Sequence, residues 1–155
     1  MELKTKVNAE DGKQDLTITR EFDLPVDLLF KAHAESDIVG QIMGTKVLKF
    51  EGKKHGSYQF ETTDANGNVT FKANGTFHEF KPGQKITRTF EMENAPFGVQ
   101  LEVYEFAELT DQTSKLNIHV IYESVALRDA LLKMPFAQGL NYAHNRLEQL
   151  LKTSK

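Results

Sequence analysis

Cysteine and tryptophan are both absent from this 155-residue chain. Without cysteine there can be no disulfide and no thiolate metal site. Without tryptophan, the aromatic core falls to eleven phenylalanines and four tyrosines. No run of Lys and Arg offers an electrostatic footprint for nucleic acid, and the net charge is −3. No apolar stretch approaches the length that spans a bilayer, and the opening residues MELKTKVNAEDGKQ lack the apolar core of a signal peptide. A cytoplasmic protein that does not insert into membranes is the expectation. A Gly-x-Ser-x-Gly elbow and a Gly-Lys-Ser/Thr phosphate loop are missing too. The histidines, His33, His55, His78, His119 and His144, show no metal-ligand spacing. Neither a metal, a cofactor nor a nucleophilic catalytic residue is therefore expected.

What is present suits a folded domain: 39% hydrophobic and 26% charged residues. Residues 1–14 are polar and irregular and are expected as a flexible N-terminal arm; 15–155 are expected as a single domain. A first strand is predicted over 15–23. Pro25 then opens a helix with Val26, Leu29, Phe30 and His33 at helical spacing. A second short helix to Met43 follows, with Ser36 as its N-cap. From Lys46 the pattern changes to period two, punctuated by turn signals such as Asn66-Gly67 and Pro82-Gly83. Six strands with short connections read as an antiparallel meander with one face covered. Gly75, in mid-strand, is a candidate bulge or bend. A helical lead-in over Leu127–Met134 precedes a long last helix, whose apolar stripe is Phe136, Leu140, Ala143, Leu147 and Leu150.

Two arginines break the apolar faces. In ITREFDLP, Arg20 shares a side with Ile18 and Phe22; in KITRTFEME, Arg88 shares one with Ile86, Phe90 and Met92. A guanidinium is always charged and very costly to bury alone. Either an acidic residue neutralises each arginine inside, with Glu105 (placed on the Val99, Leu101, Val103 face) or Glu79 as candidates, or the arginine sits at a rim, or both face a space and answer the carboxylate or phosphate of a ligand. His144, beside the last helix's stripe, is either a satisfied boundary residue or a hydrogen-bonding or acid–base group.

The order of elements, β-α-α-β6-α, with three stretches of sequence carries a resemblance to a family. LTITREFDLPVDLLFKAH is similar to its opening strand, arginine and helix-starting proline. GSYQFETTDANGNVTFKANGTFHEFKPGQKI is similar to its Gly-aromatic strand, Asp-x-x-Gly turn and Pro-Gly turn. GLNYAHNRLEQLL is similar to its final helix. Over 15–152 the chain resembles the heat-shock-protein-90 ATPase activator-like family of the SRPBCC superfamily, whose members are START-like or birch-pollen-allergen-like. It departs from the family at Ile42, Tyr58 and Leu140, where members usually carry tryptophan.

The resemblance implies an α+β helix-grip fold: a seven-stranded curved antiparallel sheet around a long C-terminal helix, with an internal cavity between them. The cavity is expected to be lined by Arg20, Phe22, Phe30, Tyr58, Phe60, Phe71, Phe77, Arg88, Phe90, Val103, Phe136, Leu140 and His144. The first functional expectation is a non-enzymatic binder of a small apolar or amphipathic ligand, anionic if the arginines anchor it. The alternatives are an interaction module with a chaperone as partner in a stress response, and a small-molecule enzyme of cyclase or hydrolase type. A monomer or weak homodimer is expected.

Overall fold

The computed structural model describes residues 3–93 and 95–153. In chain order it has β1 (Lys6–Asn8), β2 (Asp15–Phe22), α1 (Val26–Ala34), α2 (Ser36–Met43), β3 (Lys46–Phe50), β4 (Ser57–Thr63), β5 (Val69–Lys81), β6 (Lys85–Met92), β7 (Val99–Thr110), β8 (Thr113–Ile121), α3 (Val125–Leu132) and α4 (Phe136–Thr153). The strands form one antiparallel sheet in the order β1-β2-β8-β7-β6-β5-β4-β3. The α+β helix-grip architecture is as the sequence indicates, with one strand more. Lys6–Asn8, inside the segment expected as an arm, pairs with Asn8 opposite Thr17 and Lys6 opposite Thr19, so the sheet has eight strands and not seven. Three residues with one half-buried valine are too short for period two to reveal. No helix among the described residues is long and apolar enough to cross a membrane.

Local chemistry places the boundaries. Pro25 has φ −58° and caps α1 without needing its missing N–H. Ser36 is the first residue of α2 and not its cap; extended Glu35 stands at the cap position. Gly44, at φ 65°, ends α2 in the left-handed conformation that glycine adopts freely. Ser124 caps α3 by accepting the Leu127 N–H at 3.1 Å.

β5 shifts register beside Thr70 against β4 and between Phe77 and Glu79 against β6, not at Gly75; the latter bulge matters for the core. It changes which side chains face in, so Phe77 and Phe80 both reach the core, with ring centroids 5.3 Å apart. Gly75 serves a different need. It pairs with Tyr58, and a Cβ there would collide with the Tyr58 ring and the Thr89 carbonyl oxygen.

The core lies between the sheet's inner face and the helices. Leu16, Ile18, Phe22, Ile86, Leu116 and Ile118 from the strands meet Leu29 and Phe30 of α1 and Leu147 and Leu151 of α4. Outside this core, Arg128 of α3 is 2% exposed. It donates to the carbonyls of Glu10 at 2.6 Å and Asp15 at 3.0 Å, and pairs with Asp129 at 3.0 Å.

Candidate functional site

Two adjoining hollows lie between the inner face of the sheet and α4. The first encloses about 180 Å³, between His33 of α1, Val39 and Ile42 of α2, Phe60, Arg88 and Phe90 of the sheet, and Leu140, His144 and Leu147 of α4. The second encloses about 430 Å³, bounded by Phe71, Met92, Val120 and Tyr122 with Leu131, Phe136 and Gly139. They share Met43, Phe90, Glu102, Tyr104, Ile118, Leu140 and Ala143. Alternation in β6 turns Phe90 and Met92 inward, and the smallness of Ala143 leaves room under α4.

Arg88 is the polar centre of the wall. Its register partner across the β6–β7 ladder is Glu102. The Arg88 Nε–H donates to Glu102 Oε1 at 2.7 Å and its Nη2 to the Tyr104 hydroxyl at 2.8 Å. Tyr104 donates back to Glu102 Oε1 at 3.2 Å, and the Gln100 amide supplies Oε2 at 2.7 Å. The guanidinium carbon also lies 4.9 Å from the Tyr58 and Tyr104 ring centroids. Burial opposes the charge, but Tyr104, Tyr58 and Glu102 outweigh it and hold Arg88 protonated. Burial likewise pushes the Tyr104 phenol up, keeping it neutral. The charges answer each other inside the protein, which is what makes this burial tolerable.

Two histidines face the first hollow. His33 Nδ1 lies 2.9 Å from the Leu29 carbonyl oxygen one turn back. Burial pushes its pKa down to about 4 against the raising effect of that bond, and Arg88 adds to the lowering. His144 Nδ1 lies 2.8 Å from the Thr5 hydroxyl. Burial, then the proximity of His33 and Arg20, push it down to about 3. Both rings are neutral at physiological pH.

Arg20 sits behind this wall, 2% exposed. It donates to Thr5 Oγ1 at 3.2 Å and Asn141 Oδ1 at 3.4 Å, lies 5.0 Å over the Phe22 ring, and stands 3.8 Å from Glu148. Its Nε and Nη2 have no hydrogen-bond partner. Burial lowers its pKa, with Glu148 opposing.

Of the residues expected to line a cavity, Phe60, Phe71, Arg88, Phe90, Phe136, Leu140 and His144 do so. Arg20, Phe22, Phe30, Tyr58 and Phe77 are buried off its wall, packed in the solid core. Val103 alternates with Glu102 and Tyr104 and faces the other side of β7. That strand reverses the expected parity: Val99 and Leu101 are exposed, while Glu102 and Phe106 are buried. Glu105 therefore faces away from Arg88, and Glu79 bonds Lys85 and Thr87 at 3.0 Å each. The reason is the cost of Arg88 alone, which a carboxylate directly opposite removes. Glu102, Tyr104 and His33 are among the wall residues that sequence reasoning did not single out as site residues. The parity of Phe106 with Tyr104 and Glu102 was the available signal. Among the described residues no three His, Asp or Glu side chains converge as a metal-holding set.

An antiparallel sheet gripping a C-terminal helix around a hollow defines a helix-grip protein. The family described as "Activator of Hsp90 ATPase homolog 1-like protein" matches residues 23–152, and the chain belongs to it. Comparison with curated protein sequences finds no match. Among solved structures, the chain is similar to a protein from Mycobacterium smegmatis at 21% identity and TM-score 0.83, covering 95% of this chain and 96% of that one. It is similar to a protein from Rhodobacter sphaeroides at 18% identity and TM-score 0.83, covering 96% and 99%. An HSP90 activator from Plasmodium falciparum aligns at 18% identity and TM-score 0.57, covering 70% of this chain and 73% of that one. Likeness at these identities speaks for the fold alone.

Proposed function

We propose that this protein is a non-enzymatic, cytoplasmic binder of a small apolar or amphipathic molecule held between the sheet and α4. The observation that supports this most is the paired hollow, whose larger part, about 430 Å³, falls in the range of roughly 300–1,000 Å³ typical of ligand sites. Its wall is apolar except for a few placed polar groups, the usual composition of such sites. Among the described residues of the wall the only cation, Arg88, is charge-paired with Glu102, and Arg20 lies behind it, so the wall carries no net charge and favours a neutral ligand. Leu140 borders both hollows, so Leu140→Trp fills the shared space. Native mass spectrometry of freshly expressed protein should show a bound small molecule, and the neutral dye N-phenyl-1-naphthylamine should fluoresce on binding. Leu140→Trp should lose both while keeping its circular dichroism spectrum. Wild-type protein with neither adduct nor dye binding overturns the reading.

A second reading, a chaperone partner, has the support of the family's description and of the Plasmodium neighbour named as an HSP90 activator. It is tested by adding the protein to a purified Hsp90 chaperone. A rise in ATP turnover supports it; an unchanged rate at saturating protein removes it.

A further inference from the structure

Resting on the binder reading, we infer that the ligand carries a hydroxyl group, as a phenol or enol does, and that His33 and His144 read it. The inference comes from how each ring is tied at its far nitrogen. A backbone carbonyl only accepts, so the contact of His33 Nδ1 with the Leu29 carbonyl at 2.9 Å fixes the proton on Nδ1. The Nε2 of His33 is left with a lone pair and no proton, an acceptor. His144 is tied the opposite way. The Thr5 hydroxyl oxygen already accepts from Arg20 Nη1 at 3.2 Å. Its own proton is free to serve His144 Nδ1 at 2.8 Å. A Thr5 O–H given to Nδ1 makes His144 the Nε2–H tautomer, a donor. Among the described residues neither Nε2 has a hydrogen-bond partner, and neither is counted with the fully buried unsatisfied atoms.

The first hollow thus offers one acceptor and one donor, both uncharged. Of the other polar groups on its wall, Arg88, Glu102 and Tyr104 bond one another and balance in charge, with the Arg88 Nη1 left unbonded among the described residues. In the second hollow the polar lining adds Gln100, which serves Glu102, and Tyr122. A hydroxyl can give its proton to His33 Nε2 while an oxygen of the ligand accepts from His144 Nε2–H. A carboxylate can supply no proton to His33, and the one cation among the described residues lining this hollow, Arg88, already has its charge paired with Glu102. An ether or hydrocarbon that covers the His33 acceptor leaves it unmet, and such a loss is a strong discriminator.

The test titrates wild-type protein at pH 7 with 2-naphthol, 2-methoxynaphthalene and 2-naphthoate, which share one ring system. 2-Naphthol should bind about ten-fold more tightly than its methyl ether and than the carboxylate. In His33→Leu that preference should vanish, because the naphthol loses its acceptor and the ether no longer leaves one unmet. Equal binding of the naphthol and the ether, tightest binding of the carboxylate, or a preference that survives in His33→Leu overturns the inference but leaves the binder reading standing. Binding of none of the three overturns the inference, and the binder reading falls with it only where the dye and the native mass spectrum are negative as well. The wild-type comparison needs no variant, so a His33→Leu protein that failed to fold would not blunt it.

Discussion

Arg88 and Arg20 occupy matching places in the sequence, each on the apolar side of a strand, yet the fold treats them differently. Arg88 has a carboxylate in register on the next strand, a phenol on a second nitrogen, and aromatic faces around it. Arg20 has two long hydrogen bonds, a carboxylate at 3.8 Å and two unbonded nitrogens. The first is a closed charge system that gives a cavity a polar wall without giving it a net charge. The second is a joint between chain segments: its partners Thr5, Asn141 and Glu148 belong to the N-terminal segment and to α4. Burial alone therefore does not mark an arginine as a ligand anchor; what matters is whether it reaches the hollow and whether its charge is already answered.

The comparison breaks most sharply at Glu102. Glu102→Ala leaves Arg88 buried without its acid and takes from Tyr104 its acceptor, at a cost of about 3–5 kcal/mol. Chemical denaturation should show this as a lower midpoint with an unchanged slope. Acid comes next. The folded-state pKa values of His33 and His144, about 4 and about 3, lie below the unfolded value of 6.5. As pH falls through 6.5 the unfolded chain takes up protons that the folded one refuses. Stability is thus complete above pH 6.5 and declines toward pH 4, by up to roughly 1.4 kcal/mol per pH unit for each histidine. His144→Asn should roughly halve the slope measured between pH 6 and pH 4.5. Smallest is Arg20→Met, which removes a charge with poor partners and keeps the volume. It should cost about 1–2 kcal/mol and leave dye affinity unchanged. A loss as large as that of Glu102→Ala would erase the distinction between the two arginines.

Much of this architecture can be read directly from the residues. Pro25, Gly67 and Gly83 mark real boundaries, since each supplies a backbone geometry that few other residues supply, and the stripe from Phe136 to Leu150 reports a helix long enough for its period to be unambiguous. The parity of β7 was not legible. Val99, Leu101 and Val103 look like an inner face and Gln100, Glu102 and Tyr104 like an outer one, because hydrophobicity ranks side chains one at a time. A buried arginine inverts that ranking by making glutamate the favourable neighbour. The same limit hid His33 as a wall residue: helical spacing shows that it faces inward, not that Leu29 has fixed its proton. Nor can alternation tell a phenylalanine beside a void, such as Phe90, from one in solid packing, such as Phe77.

Tyr58 can hold its ring centroid 4.9 Å from the Arg88 guanidinium carbon only because nothing projects from residue 75. Its hydroxyl is pinned to the Thr89 carbonyl at 2.5 Å, one residue along from Arg88. The placing of a charge inside this molecule is thus governed from a neighbouring strand by a missing methyl group, and one added carbon at Gly75 would be felt, through an aromatic ring, as a guanidinium out of position.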